Sequence, residues 1–273
     1  MSLPGLVYVR QTAGAPAARG GVLAPFTCGA RGLTDNHRVD ARSLSDAWEA
    51  KAAEWAAWAR TPEHDQFFEA LNWPAFLHLL PDARGRTLDV GCGEGRVGRE
   101  LSSLGHSVTG LDSSPTLVEL AREAGGYEKV VCESATCMPF ADGEFDLAVA
   151  FMSLITVDDV GSAVRETARV LAPGGCLCVA ILHPLNRPDA AMADYFREHR
   201  VCEKIERGGV PMVFEDAHRP LSAYTDALAD AGFAIEQLGE PRLGDSAAAT
   251  APVPLVNAAR RPYFLHLRCR LAR

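Results

Sequence analysis

Lysine is nearly missing from this chain of 273 residues: only Lys51, Lys129 and Lys204 occur, and every other basic residue except histidine is arginine. Together with 24 glycines, 17 prolines and abundant alanine, that bias reads as a G+C-rich genome rather than an arginine-based recognition surface. The formal charge of −8 leaves little room for a broad phosphate-binding face, so nucleic acid is not an expected partner. No run approaches the roughly 20 apolar residues that span a bilayer, so no membrane partner is expected either. Met1 to Gly20 lack a basic start followed by an apolar core, which predicts no secretory signal and a cytoplasmic location. The eight cysteines never form C-x-x-C. Several fall in apolar runs, and they read as reduced core thiols rather than disulfides or a metal site.

Alternation dominates the rest. Residues 1–42 carry Pro, Gly, Ala and Arg without periodicity and are expected to be a flexible extension. Residues 43–82 read as a helical unit. Trp48, Trp55 and Trp58 share one helix face, a break falls at Thr61-Pro62-Glu63, and a second amphipathic helix runs from His64 to Leu80. Such a Trp stripe is more often core than a substrate box. From residue 83 to 273 the pattern predicts strand 87–91, helix 95–104, strand 107–112, helix 115–124 and strand 128–133. Strand 146–152, helix 158–171 and strand 176–182 follow. This is the signature of an α/β, doubly wound, mostly parallel sheet. Residues 184–219 interrupt it as an insertion, with a short helix around Ala190–His199 and a strand-like Val210–Glu215. Helix 221–231, strand 233–238 and a last strand, Tyr263–Leu271, complete the chain. No crossover helix fits between the last two strands, which predicts an antiparallel edge.

The chemistry begins at Asp89-Val90-Gly91-Cys92-Gly93-Glu94-Gly95-Arg96. A buried strand turns into a helix through glycines, so a ligand can lie against bare peptide groups at a helix N-terminus. The dinucleotide fingerprint G-x-G-x-x-G requires glycine at position 96, where this chain has Arg. About 20 residues on, Asp112 ends the second strand, where a carboxylate can accept hydrogen bonds from ribose hydroxyls. Asp112, Ser113 or Ser114 can equally cap the helix that opens at Pro115.

Three further runs follow in order: Glu133-Ser134-Ala135-Thr136-Cys137-Met138-Pro139-Phe140, Phe145-Asp146-Leu147, and Leu171-Ala172-Pro173-Gly174-Gly175. With the glycine turn and Asp112 they resemble the motifs of the class I S-adenosylmethionine (SAM) dependent methyltransferases over residues 85–183. The run Trp55-x-x-Trp58-x-Arg60-x-Pro62-x-His64-Asp65 and His218-Arg219-Pro220-Leu221 are similar to runs in a bacterial, type 11-like small-molecule subgroup. The resemblance implies a Rossmann-like sheet of seven strands with the last strand reversed, an N-terminal helical lid, and SAM as cofactor. It implies Asp89, Gly91, Cys92 and Gly93 around the amino-acid part of SAM, and Asp112 and Ser113 at the ribose. Ser134, Ala135 and Thr136 fall at the adenine, and Phe151 ends the fourth strand, where backbone carbonyls can face the cofactor and substrate. Where the family carries an acid on the adenine amino group, this chain has Ser134, with Glu133 one residue away. Arg60, His64 and His218 are candidate lid or substrate residues. His183, past the fifth predicted strand, is the candidate general base, or a residue that shapes the acceptor site without moving a proton.

The function expected is methyl transfer to a small molecule at O, N or C. A SAM-binding protein without transfer activity and an NAD(P)-dependent oxidoreductase are the alternatives.

Overall fold

The computed structural model describes residues 42–81, 85–187, 192–244 and 257–272. The expected extension, with Cys28 and His37, therefore lies outside the described residues up to position 41. Two short helices open the chain, α1 (Leu44–Glu49) and α2 (Ala52–Ala59). Ser43 caps α1 with a reciprocal box to Asp46. The expected second helix is present, but a π turn over Phe68–Asn72 precedes α3 (Trp73–Leu77). Pro74 supplies no N–H to the i→i−4 ladder, and the widened turn falls just ahead of it.

The alternating units follow: β1 (Arg86–Val90), α4 (Arg96–Ser103), β2 (Ser107–Asp112), α5 (Pro115–Ala124), β3 (Lys129–Cys132), β4 (Phe145–Phe151), α6 (Val160–Val170) and β5 (Leu171–Leu182). A hairpin of β6 (His199–Arg207) and β7 (Val210–His218) stands where the insertion was expected. Of the helix expected around Ala190–His199, residues 190 and 191 lie outside the described residues, Met192 is helical, residues 193–197 are turn and bend, and residue 199 already pairs across the hairpin. Then come α7 (Leu221–Asp230), β8 (Phe233–Gly239) and β9 (Phe264–Leu271).

Seven strands form one sheet in the order β3-β2-β1-β4-β5-β9-β8. β1 to β5 are parallel, and β9 runs antiparallel to both β5 and β8. Period-two alternation along the buried strands feeds two cores. Leu88, Val90, Ala148 and Ala150 pack toward α6 and α7 with Val164, Tyr224 and Leu228. Leu147, Val149 and Phe151 pack toward α3 and α4 with Phe76 and Leu101. The chain reverses direction across the sheet between β1 and β4. A crevice therefore opens at the carboxyl ends of these strands.

Candidate functional site

The floor of that crevice is the turn after β1. Gly91, Gly93 and Gly95 all have positive φ (70°, 56° and 94°), a region only glycine enters without strain. The N–H groups of Gly91 and Cys92 both donate to the Leu111 carbonyl, pinning the turn to β2. A Cβ at Gly91 would lie 2.4 Å from the Ser153 Cβ, whereas one at Gly93 would meet only the Trp55 Nε1, at 3.6 Å. The space above Gly93 is thus a cradle that a side chain would fill. Beneath the turn lies the Tyr127 ring, in room left by Gly98 and Gly110. The Tyr127 hydroxyl donates to Asp89 Oδ2 (2.7 Å) and accepts from the Gly98 N–H. Burial pushes the Asp89 carboxyl up to about 7, against the lowering effect of this bond.

Asp112 ends β2 inside the crevice. Its carboxylate accepts from the Gly93 N–H (2.8 Å) and the Ser114 N–H (2.9 Å). A carboxylate offers about four lone-pair positions, so two remain for a ligand. Burial raises its pKa, and the backbone N–H groups of Ser114, Gly93 and Ser113 oppose that. Next along the wall, Ser134 shares its hydroxyl with that of Thr136 (2.8 Å) and accepts from the Thr136 N–H.

A roof of helices and hairpin closes the crevice. α1 is tied down by Glu49, which accepts from Ser114 and Thr116, and by the Ser45–Ser113 hydroxyl pair. After α2, Arg60 pairs with the buried Glu94 (3.0 Å) and Asp65 with Arg96 (2.8 Å). The hairpin meets these helices through Phe214, whose ring stands edge-on to Trp48, Trp55 and Trp58 at 6.0–6.5 Å. Trp48 Nε1 donates to the Glu215 carbonyl. The cavity of about 510 Å³ runs from Asp112 and Ser134, past Gly93, to a chamber of Trp48, Trp55, Phe67, Phe214, Tyr263 and Phe264. Its apolar walls with a few polar groups have the character of a small-molecule site.

The comparisons agree with this geometry. The Methyltransferase domain family matches residues 88–179. The chain is 32% identical to a malonyl-[acyl-carrier protein] O-methyltransferase of Enterobacter lignolyticus, over 52% of this chain and 59% of that protein. It is 38% identical to a ubiquinone biosynthesis O-methyltransferase of Xanthomonas oryzae, over 41% and 47% respectively. A crystal structure of an S-adenosylmethionine dependent methyltransferase from Mesorhizobium loti superposes with a TM-score of 0.57 at 28% identity, covering 73% of this chain and 97% of that one. The chain carries, over residues 88–179, a domain of the class I SAM-dependent methyltransferase type. It spans about half the length of the curated relatives it matches. SAM is the cofactor of the family, and the cradle over Gly93 with Asp112 at its rim fits such a ligand.

Of the residues singled out in the sequence, Gly91, Cys92, Gly93, Asp112, Ser113, Ser134, Ala135, Thr136 and Phe151 line the cavity together. Asp89 does not. The strand pleat turns Leu88 and Val90 to the α6–α7 core and Asp89 to the opposite face, under Tyr127. His183 is also outside the lining, because Leu182 takes the inward position at the end of β5. The His183 ring is buried, with Nδ1 accepting from the Leu185 N–H and Nε2 3.0 Å from Glu240. Burial lowers its pKa more than Glu240 raises it.

The three lid candidates also lie outside the lining. Arg60 is spent on Glu94, and the His64 ring lies against Trp58, tilted by 33° with centroids 4.8 Å apart. His218 is fully buried, with Nε2 bonded to the Tyr195 carbonyl. The sequence reading missed Asn72, Asp65, Arg96, Glu203, Ile205, Arg207 and Phe214, all of which line the cavity. The aromatic positions among the helices were visible as a stripe, but their cavity-facing role depends on Phe214, far along the chain.

Proposed function

We propose that the chain transfers the methyl group of SAM to a small, largely apolar acceptor held in the aromatic chamber. One observation carries the reading: a single cavity joins Gly93, Asp112 and Ser134 to Trp55, Phe67, Phe214 and Tyr263. In this reading Asp112 takes the ribose hydroxyls, Ser134 and the Ala135 backbone face the adenine, and Gly91, Cys92 and Gly93 border the amino-acid end. When bound, SAM supplies a methyl group activated by a sulfonium, which needs alignment with an acceptor atom rather than further activation by the protein.

The chain's own contribution is then positioning and exclusion of water. The roof of α1, α2 and the hairpin covers the chamber, and the ion pairs Arg60–Glu94 and Asp65–Arg96 hold it to the glycine turn. No histidine lines the cavity among the described residues. Four carboxylates there already have cations: Asp65 with Arg96, Glu94 with Arg60 and Arg99, Asp158 with Arg200, and Asp216 with Arg187. The relatives named above methylate different acceptors by their names, so their substrates are not transferred to this chain. Release of S-adenosylhomocysteine from SAM, assayed over a panel of small aromatic and acyl acceptors, tests the proposal. Turnover on at least one acceptor supports it. SAM binding with no turnover on any of them contradicts it.

A further inference from the structure

We infer that the acceptor carries a carboxylate, held at Arg207; this rests on the methyltransferase reading and names the substrate class for it. On β6, Glu203, Ile205 and Arg207 alternate into the cavity, while Lys204 and Glu206 face out, exposed, as a strand's period of two requires. The lining holds two arginines. Arg96 is neutralised by Asp65 at 2.8 Å. Arg207 has no carboxylate within ion-pair distance among the described residues.

What Arg207 does have is the His64 carbonyl, to which Nη1 donates, and the rings of Trp58 and Phe67, at 5.9 and 5.7 Å from its guanidinium carbon. A guanidinium carries five N–H donors, and one is used. The planar fork matches a carboxylate, and the aromatic surroundings strengthen such a pair by displacing water. A phosphate dianion is disfavoured by the same inventory, because the second cation of the cavity is already paired. The rival explanation is structural: Arg207 ties the hairpin tip to the chain after α2. That role predicts a loss of stability on substitution but no selectivity between a carboxylate and its neutral isostere.

The experiment uses the full chain saturated with S-adenosylhomocysteine. Indole-3-acetate and benzoate are titrated against indole-3-acetamide and benzamide by saturation-transfer NMR, in wild type, Arg207→Gln and Arg207→Lys. The expected result is that at least one acid binds wild type about 10-fold tighter than its amide, the order of a charge-assisted bond. That preference should fall to within about twofold in Arg207→Gln and return in part in Arg207→Lys. Equal binding of acids and amides to wild type, a preference that survives Arg207→Gln, or no binding of either acid overturns the assignment. Calorimetry of S-adenosylhomocysteine separates the two levels. Its failure to bind wild type overturns the methyltransferase reading, whereas its binding without acid preference overturns only the role of Arg207.

Discussion

Tyr127→Phe removes one oxygen from beneath the cofactor turn, and its effect should depend on pH. In wild type that oxygen donates to Asp89 at 2.7 Å and accepts from the Gly98 N–H at 3.2 Å. Among the described residues no other side chain hydrogen-bonds Asp89, which is 1% exposed. Its folded pKa, about 7, stands above the ordinary carboxylate value of 3.8. Asp89 therefore contributes stability that is fully present below about pH 4 and is lost as pH rises through 7. The Tyr127 hydroxyl limits that loss by bonding the charged form, so deleting it raises the folded pKa further and deepens the loss.

Below the folded pKa the bond removed is between neutral groups, worth about 0.5–1.5 kcal/mol. Above it the bond is to a carboxylate, worth about 1.5–3 kcal/mol. Urea unfolding of both proteins at pH 5.5 and pH 8.5 should therefore show a destabilisation that grows by about 1 kcal/mol or more at the higher pH. The Gly98 contribution is pH-independent and cancels in the comparison. Equal destabilisation at the two pH values would refute the claim that Asp89 ionises against this hydroxyl.

Other substitutions probe the cavity itself. Gly93→Val puts a branched side chain into the cradle at a φ of 56°, and should abolish measurable SAM binding by calorimetry while far-UV circular dichroism stays that of the wild type; normal binding would make the turn a mere bend. His183→Ala should leave SAM affinity and turnover within about twofold, and lower stability by about 1–2 kcal/mol through the Leu185 N–H left without its acceptor. A 10²-fold fall in turnover at unchanged SAM affinity would restore His183 to the chemistry.

Much of the sheet was legible because parallel strands buried on both faces read as apolar runs between glycine and proline punctuation. The boundaries from β1 to β4 fell within about two residues of those expected. β5 begins earlier, at Leu171, since the Pro-Gly-Gly run that reads as a turn is incorporated into the start of the strand. β6 was not legible for a different reason: its inward positions include Glu203 and Arg207, which face the cavity rather than a core, so no apolar alternation marks the strand.

The site divided in the same way. Glycines, Asp112 and Ser134 announce themselves by spacing, because backbone conformation and strand ends are local properties. Whether Asp89 or His183 turns toward the cavity depends on the pleat at a strand end, where a shift of one residue reverses the face. The Trp48–Trp55–Trp58 stripe looked like core because its partner, Phe214, comes from a hairpin that only the tertiary fold brings over it.

Calorimetric titration of SAM into the full chain and into Asp112→Ala tests the central claim most directly. Wild type should bind SAM and not NAD(P). The variant, shown folded by its urea transition, should bind about 30- to 150-fold more weakly, the roughly 2–3 kcal/mol expected when ribose hydroxyls lose a charged acceptor. Unchanged affinity in the folded variant, or no SAM binding to the wild type, would contradict the account.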